Sequence, residues 1–181
     1  MDEVTLAVLW AELREDAEVM RDAAATARAR LGSGSVSEAE AAAFHLARAY
    51  NAAEMAAQRV ARAFENSING SSGWHAGLLR RMSLEVPGVR PALYNSDVLA
   101  RLSELRGFRH AFRHAYDMVV DPARIAALIG IAEGLVEPIT ASIRRFVIEV
   151  ADRNGLQRPP DMASGSDLDT AEALGSGPPD Q

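Results

Sequence analysis

Two long runs of apolar residues at helical spacing, joined by the four small residues GSGS, constrain this chain more than anything else in it. Over residues 2–31 the apolar positions Leu6, Leu9, Trp10, Leu13, Ala17 and Met20 fall every three or four residues, the period of one helix face. Residues 32–35 break that run. Ser37 followed by Glu40 predicts a capping box, in which each side chain satisfies an amide that the helix start leaves orphaned. A second helix then extends to about Asn66, with Phe44, Leu46, Tyr50, Val60 and Phe64 as its core positions and His45 at the core edge. Helices linked this tightly fold back on one another.

The remaining pattern is also helical. SINGSSG at residues 67–73 is a loop, and WHAGLLRRMSLE is a short helix closed by the rigid turn VPGVRP. Asn95 or Ser96 caps a helix that runs through Leu99, Leu102, Leu105 and Phe108, with Phe108 and Phe112 facing the core. Asp121 before Pro122 starts a last long helix, which Pro138 is expected to kink and Gly155 to end. No stretch alternates with the period of a strand, and there is no internal repeat. The expected fold is all-α, an antiparallel bundle of four to five helices over residues 1–155. Residues 156–181 are rich in proline, glycine and acid, and read as a disordered tail.

Charge narrows the choice of partner. The net charge is −6, but five of the acids lie after Arg158 with no base among them. Up to Arg158 there are nineteen bases against twenty acids, so nucleic-acid binding would need a local patch. Every one of those bases is arginine. With no cysteine, disulfides and thiolate metal sites are excluded. No run approaches eighteen consecutive apolar residues, and the acidic N-terminus lacks the basic-then-apolar order of a signal peptide. The expectation is a cytoplasmic protein with no membrane association.

The local patch exists. LRGFRHAFRHAYD, residues 105–117, holds Arg106, Arg109, His110, Arg113, His114 and Tyr116 in a chain with four histidines and three tyrosines. An amphipathic helix with an aromatic core face and an arginine-rich solvent face accounts for part of this set. A metal pair is a second reading, because His110 and His114 are four residues apart, although three flanking arginines would repel a cation.

A third reading accounts for all of it. Arg109, four intervening residues, His114, one more residue and Tyr116 together resemble the signature of HEPN-domain ribonucleases, in the branch of HepT-like toxins. The resemblance covers residues 47–116. It takes in the helix around Tyr50, the segment GWHAGLL, the turn PGVRP and the lead-in LRGFRH. The position after the arginine is often Asn or Asp in that family and is His110 here.

The resemblance implies a HEPN-type bundle and a metal-independent endoribonuclease toxin of a type VII-like toxin–antitoxin pair, with no cofactor. It implies Arg109 and His114 as catalytic residues, with His110, Arg113 and Arg106 supporting them or binding RNA. It implies a homodimer whose two motifs share a cleft. It also implies an MNT-type nucleotidyltransferase antitoxin that adds AMP to Tyr116. The chemistry suits the residues. An imidazole titrates near neutral pH and can take the proton of an RNA 2′-hydroxyl, and a guanidinium can hold two phosphate oxygens. On a regular helix two residues five apart point about 140° away from each other, so one chain does not bring Arg109 and His114 together easily.

The alternatives are a non-catalytic helical partner of a nucleotidyltransferase and a metal- or nucleotide-binding bundle built on His110 and His114. His75 beside Trp74 reads as a packing histidine, while Arg80, Arg81 and Arg90 offer a possible extension of an RNA-binding strip.

Overall fold

The structure is a computed structural model describing residues 1–65, 74–114 and 120–165; for residues 74–76, 114 and 163–165 only the backbone is described. Five α-helices follow one another: α1 (Glu3–Leu31), α2 (Val36–Glu65), α3 (Trp74–Met82), α4 (Ser96–His114) and α5 (Pro122–Asn154). A 3-10 helix, Pro160–Gly165, comes last, and the described residues form no strand. The all-α bundle expected from the sequence is the one observed.

The α1–α2 hairpin is the frame, and its contacts are the most extensive between any two helices. Alanine makes this possible. Ala23, Ala24 and Ala27 of α1 and Ala39, Ala42, Ala43, Ala49, Ala53, Ala56 and Ala57 of α2 are all buried, so the two backbones can approach closely. Leu6, Leu13, Met20, Leu46 and Tyr50 supply the bulk. α5 lies against both helices of the frame, and α4 fills the angle between α2 and α5.

Helix ends are set by local chemistry, and one differs from expectation. The box at the start of α2 is formed by Ser35 and Glu38, not by Ser37 and Glu40. The Glu38 amide donates to Ser35 Oγ at 3.4 Å, and the Ser35 amide donates to Glu38 Oε2 at 3.0 Å. The two overlapping S-x-x-E matches compete, and the earlier one gains a further hydroxyl donor from Ser33, 2.8 Å from Glu38 Oε2. Asp2, Asn95 and Asp121 cap α1, α4 and α5 with their carboxylate or amide oxygens, and Gly155 ends α5 in the left-handed conformation at φ 63°. Helix α5 runs on through Pro138 to Asn154. It is long and apolar enough to cross a membrane, but Ile125, Leu128, Ile129, Leu135, Ile139, Ile143 and Phe146 all sit in the core of the bundle.

Two further expectations are corrected. Phe44 is 58% exposed and is not core. It sits two residues before buried Leu46, which turns it about 200° away around the helix. The tail expected to be disordered from residue 156 begins as a strap seated on the bundle. Met162 is buried, its carbonyl accepts from Arg144 Nη2 at 2.9 Å, and Asp161 accepts from Trp10 Nε1 at 2.7 Å and pairs with Arg14. Asp161 is therefore used at close range to tie the C-terminal strap to α1. The expected loop at 67–73, Tyr116, and the tail beyond residue 165 lie outside the described residues.

Candidate active site at the end of α4

Helix α4 is held in rotation by its buried residues. Val98, Leu102 and Leu105 are fully buried, and one turn further Phe108 and Phe112 stack on each other at 5.6 Å, half-buried at the edge of the core. This anchoring places Arg109 at the seam between α4 and α2.

Across the seam stand Tyr50 and Glu54, one turn apart on α2. The Tyr50 hydroxyl donates to Glu54 Oε1 at 2.8 Å. Arg109 lies over the Tyr50 ring with its guanidinium carbon 5.6 Å from the centroid, within cation–π range. Its Nη2 is 3.8 Å from Glu54 Oε2, an ion pair too long to be a hydrogen bond. The exposure of the two side chains differs: Glu54 is 4% exposed and Arg109 21%. The carboxylate therefore forms the floor of the site, and the guanidinium is its open side. Burial pushes the Tyr50 phenol far above its ordinary range, and the Glu54 charge adds to the effect, so the hydroxyl stays a donor at any working pH.

Beyond Arg109 an open groove of about 330 Å³ is lined by Ala47 and Asn51 of α2 and by Arg109, Phe112 and Arg113 of α4. A guanidinium carries five N–H donors in a planar fork. Since Arg109 is tied to Glu54 only at ion-pair distance, its fork can take two oxygens of an anion entering that groove.

Of the residues singled out in the sequence, Arg109 and Arg113 meet at the groove. Arg106 is half-buried one turn earlier, and its charge acts on Tyr50 in the same sense as that of Arg109. His110 is exposed and does not contribute to the groove lining. His114 is the last residue of α4, and its side chain is not described; the metal alternative rests on that same side chain. The arginine strip does not hold together. Arg90 is fully buried and bonded throughout, and Arg81, its side chain 40% exposed, has its Nε 3.3 Å from Glu65, while Arg80 is exposed.

Glu54 is the site residue that the sequence reading passed over. A signal for it exists: in AYNAAEMAA it is the charged member of the buried stripe Leu46, Tyr50, Ala57 and Ala61. A carboxylate in such a stripe needs a partner within the fold.

A family model described as HepT-like protein matches residues 41–150, which is more than half of the chain. The chain belongs to the HepT-like family. At family level this places it among HEPN-type toxins. The match to the HepT-like family begins in the first turns of α2 and ends near the close of α5, so it reaches beyond the motif helix to the whole packing that holds Arg109. Helix α1 and the C-terminal strap lie outside it. Comparison with curated proteins and with solved structures gave no match.

Proposed function

We propose that this HepT-like protein is a metal-independent endoribonuclease, the toxin of a type VII-like toxin–antitoxin pair. The observation that carries the reading is the seating of Arg109: half-buried, oriented from below, and open to a groove that a phosphodiester can enter. In the proposed reaction the RNA 2′-hydroxyl attacks the adjacent phosphorus and the bond to the 5′-oxygen breaks. The products are a cyclic phosphate and a 5′-hydroxyl. His114 takes the proton of the attacking hydroxyl, a proton passes from the imidazolium, directly or through water, to the leaving 5′-oxygen, and Arg109 balances the charge that builds on the phosphorane oxygens. Arg113 and Arg106 add positive charge along the incoming strand, with His110 on the outer face of the helix. Because Arg109 and His114 diverge on a regular helix, two chains of a homodimer supply one site.

Tyr116 completes the proposal. It follows Arg109 by seven residues, close to two helical turns, which would bring it back to the same stripe. AMP added to its hydroxyl by an MNT-type nucleotidyltransferase antitoxin would bring a negative phosphate into the territory of Arg109 and compete with RNA.

The decisive assay is RNA cleavage in EDTA. Cleavage with cyclic-phosphate ends is expected to persist under chelation and to fall about a hundredfold or more in Arg109→Ala and in His114→Ala. Abolition by EDTA with recovery on adding zinc would replace this reading with the metal site. A wild-type protein that binds the antitoxin and never cuts RNA would replace it with the non-catalytic partner. Co-expression with the nucleotidyltransferase should add the mass of AMP to the Tyr116 peptide and leave Tyr116→Phe unmodified.

A further inference from the structure

Glu54 is 4% exposed and lies beneath a cationic side chain, on a helix face otherwise made of alanine, leucine and tyrosine. Desolvating a carboxylate is costly, and burying leucine or methionine there would have been simpler. The carboxylate has two functions in this geometry. One oxygen accepts from Tyr50 at 2.8 Å, which fixes the plane of the group, and the other faces Arg109 Nη2 at 3.8 Å. The Tyr50 ring meanwhile supports the guanidinium from its flat side. Arg109 is thus constrained in two directions, while its side chain lines the groove.

We propose that Glu54 and Tyr50 are positioning residues that hold the Arg109 guanidinium in the orientation a phosphorane needs. This rests on the ribonuclease reading. Neither residue lines the groove, so neither touches RNA. Both act through Arg109. Without Glu54 the long arginine side chain samples several rotamers, and a displacement near an ångström at the reacting centre is costly in rate. Ground-state attraction behaves differently. Removing the Glu54 charge leaves the groove more positive, so RNA affinity should hold or rise.

The test compares wild type, Glu54→Gln, Tyr50→Phe, Arg109→Ala and the double variant Glu54→Gln/Arg109→Ala. Glutamine keeps the volume and the acceptor for Tyr50, and phenylalanine keeps the ring, so these folds should survive. Glu54→Gln is expected to slow single-turnover cleavage about tenfold with RNA affinity unchanged or tighter, and Tyr50→Phe to slow it about threefold. In the Arg109→Ala background, adding Glu54→Gln should change the rate by less than about twofold, because the two residues act as one unit. An equal loss from Glu54→Gln in both backgrounds, or weaker RNA binding matched to the slower rate, would overturn the proposal.

A second readout stands apart from cleavage. The Arg109 side-chain Nε–H signal in ¹⁵N spectra, assigned with Arg109→Lys, should exchange slowly in wild type and quickly in Glu54→Gln. A guanidinium equally mobile in both proteins would sink the positioning role even if RNA is cut. A rigid guanidinium in a wild type that never cuts RNA would support the positioning and overturn the ribonuclease reading alone.

Discussion

Arg90 and Arg109 are two arginines drawn into the interior beside a glutamate of α2, and they are treated in opposite ways. Around Arg90 the donors are used to saturation. Its Nε and Nη2 donate to Glu65 at 2.9 and 2.5 Å, Nη1 donates to the carbonyls of Leu84 and Pro91, and Nη2 also donates to that of Arg81. The side chain is fully buried. It ties the end of α2 to the turn that follows α3, a turn closed by paired backbone bonds between Val86 and Arg90. Among the described residues Arg109 has one loose ion pair, one aromatic support and an open side. A saturated guanidinium is structural material. One that is oriented but left with donors to spare is available to a ligand.

Substitutions should separate the two. Arg90→Ala is expected to produce the largest change. Removing the cation leaves Glu65 with Arg81 as its described cation and takes a donor from three carbonyls, a loss of about 3–5 kcal/mol by the usual cost of breaking a buried pair. Urea denaturation checks it, and an unchanged midpoint would end the contrast. Arg109→Ala should fail differently, losing about a hundredfold or more in RNA cleavage with a stability loss of about 1–2 kcal/mol from the Glu54 left beneath it. If its midpoint falls as far as that of Arg90→Ala, Arg109 is structural too.

Arg113 sharpens the comparison from the exposed side. It lines the groove with no described anion holding it, so its contribution should be electrostatic attraction. Arg113→Ala should weaken RNA binding several-fold and reduce the slope of log affinity against log salt by about one. An unchanged slope would remove it from the RNA path.

The smallest effect applies the same contrast to carboxylates. Glu38 accepts three donors from Ser33 and Ser35 on its Oε2, and these hold its carboxyl at about 2, below the ordinary 4.5. Its contribution to stability is therefore present above pH 4.5 and is lost as the pH falls toward about 2. Glu38→Gln cannot titrate, so its melting temperature should decline less steeply across that window than that of wild type. Parallel declines would mean that the capping box contributes nothing measurable.

How far the sequence could be read depends on whether a residue's role is local. Asp121–Pro122, Asn95 and Gly155 act within a few residues of themselves, and the start of α4 and both ends of α5 follow from them. Arg109 was legible because its neighbours in sequence are the rest of its motif. Glu54 was not singled out, since its partner lies on another helix. Arg90 and Phe44 misled for a related reason: an arginine near other arginines suggests a basic strip, and a phenylalanine in an apolar run suggests core. Only the packing of α1, α3, α4 and α5 on α2 decides which face of each helix is covered.

By itself the sequence determined an all-helical chain, where most of its helices begin and end, and the helix that carries the basic motif, because periodicity, capping and turn chemistry operate over a single helical turn. Tertiary structure decided which arginine is consumed and which is offered. A guanidinium becomes structural or available only through the carboxylates, carbonyls and rings that distant segments bring to it.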